Sequence, residues 1–285
     1  MNDIGKVVKQ IRNDKRITQQ CAIEGIGSLT YISRIENGLT RPSYEKLIKI
    51  LDRLNVTPTE FYRLIQQNNP NNQFSFINRL TNIIREKDIY LINREIEDEI
   101  KRYKEDKNYR HTHNVILLNQ YRNLFLNFQL ESQQISKLSD YLFKVRTWGI
   151  YEINLFNLCV VFFSNSNNQA LFKIATARLG KLVNKDAYYT SVFRIGFNIL
   201  LKTIESSDFF LSSLIIENLG DILDGTTFYY EIIKLKYMKG IYLMKKGNNK
   251  DGLELALIAV DLMYKLGDEV NARAHKKEIE KYYST

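Results

Sequence analysis

The chain of 285 residues has little proline, little cysteine and no long apolar segment. All three prolines lie in the first quarter, and residues 71–285 contain none, although average usage would place about ten there. Because proline breaks helix interiors, this absence predicts a body of continuous helices. Cys21 and Cys159 cannot supply a disulfide framework or a CxxC pair. No apolar run exceeds six residues, as at Leu158–Phe163, whereas a membrane-spanning helix needs roughly 20.

Motifs for catalysis, metals and cofactors are also lacking. Three histidines (His111, His113 and His275) do not have the spacing of a zinc site. No phosphate-binding loop, zinc-protease motif or serine-hydrolase motif occurs, and the Gly25–Gly27 turn follows no strand. The carboxylates of Glu95, Glu97, Asp98 and Glu99 share a polar helix with Arg94, Lys101 and Arg102, which predicts a solvated helix face. We therefore expect no metal, no cofactor and no enzyme activity.

The net charge of +9 favours an anionic partner such as nucleic acid. Residues 1–66 carry a net charge of +4 and the remaining 219 carry +5, so the first quarter is about three times as basic per residue. The N-terminus has no basic region followed by an apolar stretch, which predicts that there is no signal peptide. We expect a soluble cytoplasmic protein that does not bind membranes.

The polar segment around Pro70 divides the chain. Proline disfavours helix at the residue before it, here Asn69. The sequence therefore predicts a first domain over 1–66, a linker over 67–73 and a second domain over 74–285.

Capping signals divide the first domain into five short helices. An apolar stripe defines the first helix and consists of Ile4, Val7, Val8 and Ile11. The starts of the other four are marked by Thr18, Ser28, Ser43 and the capping box Thr57–Glu60, which has proline at the first helical position. The pair Asn37-Gly38 ends the third helix.

The second domain shows a series of helices about 15 residues long, with turns at Gly247–Asn249 and Leu266–Asp268. Gly240, Gly252 and Ala259 are spaced like the small residues of tetratricopeptide repeats, whose stacked hairpins form a groove. A generic helical array is the alternative. The predicted fold is all-α: a five-helix helix-turn-helix domain, then a right-handed superhelix of tetratricopeptide-like hairpins.

Residues Thr18–Gln20, Tyr31–Gly38 and Arg41–Ser43 resemble the phage-repressor (XRE-type) helix-turn-helix, with a turn one residue shorter. A recognition helix must present polar or basic side chains to the major groove and an apolar stripe to its own core. Ile32 and Ile35 form that stripe. The outward face consists of Leu29, Thr30, Ser33, Arg34 and Asn37.

Arg34 is the candidate for reading a guanine edge, and Thr30 or Leu29 for meeting a thymine methyl group. An ion pair between Arg34 and Glu36 or Glu24 is the alternative. Gln19 starts the second helix, where a phosphate can be held by an amide and backbone N–H groups. Further DNA contacts are expected from the cap residue Ser28 and from the basic side chains Lys9, Arg12, Lys15, Arg16 and Arg41.

The short turn and the long helical body are similar to the Rgg/MutR family of regulators. Asp140–Phe143 and Trp148–Phe156 resemble the central signature of that family. The resemblance implies a cytoplasmic homodimer that binds a palindromic or pseudo-palindromic promoter site, and several family members bind short hydrophobic signalling peptides in quorum sensing. The chain departs from the family in two ways. The family signature often continues with asparagine soon after Leu-Phe, whereas here Leu158-Cys159 follow Asn157, and Tyr44 stands where some members carry a cysteine that links subunits.

Within this signature, we expect Trp148 to pack between repeats and Glu152 to cap a helix or pair at the same junction. A groove that holds an extended peptide needs amides for its backbone, aromatic walls and a basic residue for its carboxylate. The candidates are Asn157, Tyr188, Arg194, Asn198, Tyr230, Lys234 and Tyr237. The alternative function is a DNA-binding repressor whose body responds to a partner protein or only oligomerises.

Overall fold

The computed structural model describes residues 3–67, 72–177 and 186–283. These ranges contain sixteen α-helices and no strand, which confirms the predicted all-α class. None of the helices in them is both long and apolar enough to cross a membrane. The chain falls into two compact units, Met1–Ile92 and Asn93–Thr285.

The first unit contains the five predicted helices and a sixth. Their bounds are α1 Asp3–Asp14, α2 Gln19–Ile23, α3 Leu29–Glu36, α4 Tyr44–Arg53, α5 Pro58–Gln67 and α6 Gln73–Glu86. The predicted caps are confirmed, because Thr18, Ser28 and Ser43 each accept a hydrogen bond from a backbone N–H in the first turn of their helix. In the capping box, the Glu60 carboxylate accepts from the Thr57 N–H at 2.8 Å, and Thr57 Oγ1 accepts from the Glu60 N–H at 3.2 Å.

The core of the helix-turn-helix lies between α1, α3 and α4. Val7 and Val8 of α1 are buried there with Ile32 and Ile35 of α3, as the apolar stripes predicted. Gly5 sets how closely α1 approaches α3, because a Cβ atom at this position would lie 1.9 Å from the carbonyl oxygen of Ile35. Only a glycine allows this contact, which fixes the end of α3 against α1.

The second unit is a series of antiparallel helices. The bounds are α7 Ile89–Asp106, α8 Tyr109–Phe125, α9 Ser132–Lys144, α10 Ile150–Cys159, α11 Asn165–Thr176, α12 Asp186–Glu205, α13 Phe209–Leu223, α14 Tyr229–Lys245, α15 Asn249–Lys265 and α16 Glu269–Tyr283. Each helix from α12 to α16 packs on the next, and α10, α12, α14 and α16 also pack in that order, which is the pattern of stacked hairpins.

The units divide within α7, after Ile92, whereas the polar segment around Pro70 predicts a second domain from residue 74. α6 and the first turn of α7 therefore group with the first unit. Residues 68–71 of the predicted linker lie outside the described residues, as do residues 178–185 of the second domain.

The small residues predicted for the tetratricopeptide-like hairpin bring α14 and α15 together. A Cβ atom at Gly240 would lie 2.7 Å from the carbonyl oxygen of Gly252 and from the amide nitrogen of Ala256. At Gly252 it would lie 2.7 Å from the carbonyl oxygen of Gly240. The two glycines thus face each other at the crossing, and Ala259 is buried one turn beyond Ala256.

The prediction that the acidic segment of α7 is a solvated face is wrong for Glu99, which is only 2% exposed. Its carboxylate contacts Nδ1 of His111 at 2.7 Å and accepts hydrogen bonds from Asn114 at 2.8 Å and from Arg102 at 2.5 Å. Residue type and spacing on α7 alone could not show this, because two of the three partners lie on α8. The cluster holds α7 against α8.

Candidate functional site

The outward face of α3 is accessible, as a helix that reads DNA requires. Leu29 is 49% exposed, and Thr30, Arg34 and Asn37 are exposed, while Ser33 is half-buried beside them. Ser28 caps the helix by accepting from the Tyr31 N–H at 3.2 Å. Asn37 donates to Ser33 at 3.5 Å. The structure therefore brings the predicted recognition residues together on one face.

Arg34 has neither of the carboxylate partners that were the alternative to a DNA contact. Glu36 pairs with Arg12 at 2.6 Å, and Glu24 lies 4.0 Å from Arg53. Arg34 instead donates from Nε to the hydroxyl of Thr40 at 3.3 Å. No acidic side chain within the described residues is paired with it, so its charge is available to a ligand.

Arg12 does not lie among the exposed basic residues, although it was predicted to contact phosphate. Its Nε and Nη2 donate to the Glu36 carboxylate at 2.6 and 3.0 Å, and Nη1 donates to the Ile17 carbonyl at 2.9 Å. Gln19 donates to the same carboxylate at 2.8 Å. Arg12 thus joins the ends of α1 and α3, and Glu36 fixes the start of α2, so we leave Arg12 out of the proposed DNA contacts.

The remaining basic candidates of the first unit are exposed. Lys9 lies on α1, Arg16 lies in the turn before α2 with a positive φ of 55°, and Arg41 follows α3. Lys15 donates to the carbonyl of Asn55 at 2.8 Å, so part of its hydrogen-bonding capacity is already used. These side chains can add affinity for phosphate without choosing a sequence.

In the second unit, predicted peptide-binding residues lie on α10, α12 and α14. Asn198 of α12 donates its amide to the side-chain oxygen of Asn157 on α10 at 2.9 Å, and both residues are half-buried. Arg194 lies one turn before Asn198 and is exposed, as the i, i+4 spacing predicted. An amide pair of this kind retains donors and acceptors for the backbone of an extended peptide.

Lys202 and Phe197 also lie on α12, and neither was predicted from the sequence. Lys202 continues the spacing of Arg194 and Asn198 by four residues, which was the available signal. Its ammonium group donates to carbonyl oxygens at the end of α10, those of Val160 at 3.3 Å, Val161 at 3.2 Å and Phe163. Burial lowers the pKa of Lys202. This contact holds α10 against α12 and so maintains the amide pair.

Lys234 lies between two aromatic rings. Its Nζ atom is 4.8 Å from the ring centre of Tyr230 and 5.4 Å from that of Phe197. Burial lowers the pKa of Lys234, the carboxylates of Glu231 and Asp268 oppose this shift, and the charge of Arg194 adds to it. Neither Lys234 nor Arg194 forms an ion pair within the described residues, so the two cations offer a place for an anionic group.

Tyr237 and Tyr188 do not line an open groove, contrary to the prediction. Tyr237 is 1% exposed, and its hydroxyl donates to Glu278 of α16 at 2.8 Å while its ring lies 4.2 Å from that of His275. Tyr188 is also buried. Both face the interior because their helices are covered by neighbouring elements, which a single sequence does not reveal. Tyr230 remains partly exposed and accepts from Asn271 at 3.2 Å.

The segment with the central signature has a structural role, as predicted for Trp148 and Glu152. Trp148 is buried against Phe156, with ring centres 5.7 Å apart, and its indole N–H donates to the Leu142 carbonyl at 3.0 Å. Glu152 accepts from the Gly149 N–H and from the Tyr141 hydroxyl, each at 2.7 Å. These contacts fix the start of α10 against α9 and thereby place Asn157.

Two family models match the chain. The model of the C-terminal domain of the HTH-type transcriptional regulator Rgg matches residues 93–277, and a helix-turn-helix model matches residues 8–61. The first match begins where the second compact unit begins. The second match covers α2, α3 and α4 completely, the later part of α1 and the first residues of α5.

Solved structures share the whole architecture. The SHP pheromone receptor Rgg2 of Streptococcus dysgalactiae is 23% identical, with 98% of this chain and 99% of that chain covered and a TM-score of 0.75. A protein of Listeria monocytogenes EGD-e is 19% identical, with 99% of this chain and 97% of that chain covered and a TM-score of 0.82. PrgX, in its complex with cCF10, is 18% identical, with 98% of this chain and 99% of that chain covered and a TM-score of 0.67. At these identities the likeness shows the fold.

Proposed function

Since the chain belongs to the Rgg family of helix-turn-helix transcriptional regulators, we propose that a short hydrophobic peptide, bound by the helical repeat, controls its action at promoter DNA. The observation that carries the DNA-binding part is the face of α3, where exposed polar and basic residues lie opposite the buried Ile32 and Ile35. The peptide part is supported by similar structures, since Rgg2 is named as a pheromone receptor.

In the proposed DNA complex, α3 enters the major groove. Arg34 reads a guanine, Thr30 or Leu29 contacts a thymine methyl group, and the neighbouring polar residues Ser28, Ser33 and Asn37 add further contacts. Gln19 and the N–H groups at the start of α2 bind a phosphate. Further phosphates are bound by Lys9, Arg16 and Arg41.

We assign the peptide to the face shared by α10, α12 and α14. The amide pair Asn157–Asn198 bonds to its backbone, while Phe197 and Tyr230 pack on its apolar side chains. Arg194 and Lys234 meet its carboxylate, because the charge of Arg194 acts on Lys234 and neither cation is ion-paired within the described residues. This arrangement suits an extended ligand that has uncharged side chains and one anionic end.

The regulator acts as a homodimer in the cytoplasm, where promoter DNA lies. Each copy places one α3 in a major groove, with half-sites about 34 Å apart on a palindromic or pseudo-palindromic site. The peptide binds one arrangement of the repeat better than another, and a coupling of roughly 1–3 kcal/mol changes promoter occupancy markedly. No enzymatic step is involved.

Base reading by α3 is tested with Arg34→Ala. Full-length protein is used to select duplexes from a random-sequence library, and the dissociation constant for the selected site is then measured. The variant should lose preference at one base pair and bind the selected site about 10-fold to 100-fold more weakly, since a bidentate contact contributes roughly 1–3 kcal/mol. Lys49→Ala, which removes an exposed charge on α4, is the control. Unchanged base preferences in Arg34→Ala would refute base reading.

The peptide site is tested by affinity selection and mass spectrometry from a synthetic pool of octapeptides made of Leu, Ile, Val, Phe and Gly. Wild-type protein should retain a subset of the pool. Arg194→Ala and Asn198→Ala should weaken binding of that subset at least 10-fold, whereas Lys250→Ala, an exposed charge on α15, should not. Retention by both variants equal to wild type would show that the groove lies elsewhere, and no retention by wild type would remove support for a peptide ligand.

A further inference from the structure

We propose that Thr40 is a positioning residue that fixes how Arg34 presents its guanidinium group to DNA and thereby sets its preference for guanine. The inference rests on the proposed reading of the major groove by α3. It adds a residue outside the recognition helix that determines specificity without contacting a base.

The segment after α3 folds back over the last turn of that helix. Gly38, with a φ of 75°, donates its N–H to the Ile35 carbonyl at 2.9 Å. The carbonyl of Arg34 then accepts from the Leu39 N–H at 2.8 Å and from the Thr40 N–H at 3.3 Å. The backbone of Thr40 is therefore tied to the same residue whose side chain its hydroxyl meets.

The side-chain contact uses one particular donor of Arg34. Nε donates to the hydroxyl oxygen of Thr40 at 3.3 Å, and the side chain makes no other hydrogen bond or ion pair within the described residues. A guanidinium group has five N–H donors, of which one is on Nε and four are on the two Nη atoms. The two Nη atoms are thus the donors that remain for DNA.

This leaves one way of contacting a base edge in bidentate fashion. With Nε engaged, the pair of Nη atoms must provide both hydrogen bonds, and guanine presents two acceptors, O6 and N7, to receive them. Adenine presents one acceptor and one donor at the same edge, so it cannot accept both. The Thr40 contact therefore holds Arg34 ready for the end-on approach to guanine through its two Nη atoms, in place of the side-on approach through Nε and one Nη atom.

The contact also lowers the entropy that Arg34 loses on binding. A free arginine side chain loses much of its rotamer freedom on binding, and a side chain already held at Nε loses less when the complex forms. A phosphate contact by Arg34 would gain the same affinity on every sequence, whereas a base contact gains it only at guanine. Base preference, not affinity, is therefore the informative readout.

The test compares Thr40→Val, which removes the hydroxyl with little change in shape, with Thr40→Ser, which keeps it. Full-length proteins select from a random-sequence duplex library, and the base pair at which Arg34→Ala loses preference is the position examined. Thr40→Val should reduce the preference for guanine there about threefold to tenfold, as expected for the loss of one hydrogen bond. Thr40→Ser should retain most of it. Thr59→Val, at an exposed threonine on α5, is the control.

The outcomes separate the inference from the proposed function. If Arg34→Ala alters no base preference, base reading by α3 is wrong. The role of Thr40 is overturned if Arg34→Ala alters base preference while Thr40→Val leaves the preference for guanine unchanged. It is also overturned if Thr40→Val weakens binding to all sequences equally. In the double variant Arg34→Ala/Thr40→Val, the second change should have no further effect on base preference, because Thr40 acts through Arg34.

Discussion

Glu36 lies 4% exposed at the end of α3 and accepts hydrogen bonds from both Arg12 and Gln19. Removal of one partner from a buried ion pair leaves the other charge without compensation. We expect Glu36→Ala to lower the free energy of unfolding of the first unit by about 3 kcal/mol, measured by urea denaturation. Glu24→Ala is the matched control, because that carboxylate is exposed and lies 4.0 Å from Arg53. A loss equal to that of the control would show that the pair is not structural.

His113 should make the second unit sensitive to acid. Burial lowers its pKa, with Glu152 opposing the shift, and Nδ1 lies 2.8 Å from the Tyr151 hydroxyl. A histidine with a depressed pKa in the folded state stabilises the fold fully above its unfolded pKa of about 6.5, and this contribution is lost as the pH falls below that value.

We therefore expect the difference in unfolding free energy between wild type and His113→Gln to shrink between pH 7.5 and pH 5.5. Chemical denaturation of both proteins at the two pH values provides the measurement. The sign follows because only wild type loses the contribution of a neutral imidazole. A difference that stays constant or grows as the pH falls would contradict the assignment.

Local and distant contacts differed in how far the sequence revealed them. Caps such as Thr57 and Glu60 were predictable, because a capping bond joins residues three positions apart. The partners of Arg12 and Glu99 were not, because Arg12 pairs 24 residues away and Glu99 bonds across to α8. The sequence predicts a DNA contact for Arg12 and a solvated position for Glu99, because composition alone cannot show that a charge is compensated in the interior.

At the scale of helices, the crossing of α14 and α15 depends on Gly240 and Gly252. Alanine normally favours a helix over glycine by about 1 kcal/mol. At Gly240, however, the added Cβ atom would lie 2.7 Å from backbone atoms of α15. We expect Gly240→Ala to destabilise the second unit by roughly 1–3 kcal/mol, because the two helices must separate.

Gly220→Ala on α13 is the matched control. Among the described residues, no atom other than those of its chain neighbours and of the backbone of α13 lies within 4 Å of a Cβ at that position, so only the gain in helix propensity remains. Thermal unfolding should show a lower melting temperature for Gly240→Ala and an equal or higher one for Gly220→Ala. If both variants shift the melting temperature upward, the close approach of α14 and α15 is not tight.

Helix positions followed from turn residues and periodicity. The predicted turns at Gly247–Asn249 and Leu266–Asp268 lie between α14, α15 and α16, within a few residues of the observed ends. What the pattern did not show is which faces are covered. Tyr237 was expected on a groove wall, but α16 packs over it. A periodicity defines the faces of a helix and does not identify the neighbour on each face.

At the scale of the whole molecule, the order of a helix-turn-helix followed by a helical repeat was predictable from proline distribution, capping signals and resemblance. The grouping of α6 with the first unit was not, because the proline near residue 70 predicts a break in the helix and does not show with which unit the next helix groups. Phe76, Leu80 and Ile83 are buried along α6, so one face of this helix is covered.

Genome-wide DNA pull-down shows whether a peptide controls the action of this regulator at promoters. The tagged protein is recovered from its own cells grown with and without spent culture medium, and the bound sites and the transcripts beside them are compared. We expect sites whose occupancy or output changes with medium and which lie next to a gene for a short hydrophobic peptide. Identical sites and identical outputs in both conditions would contradict peptide control.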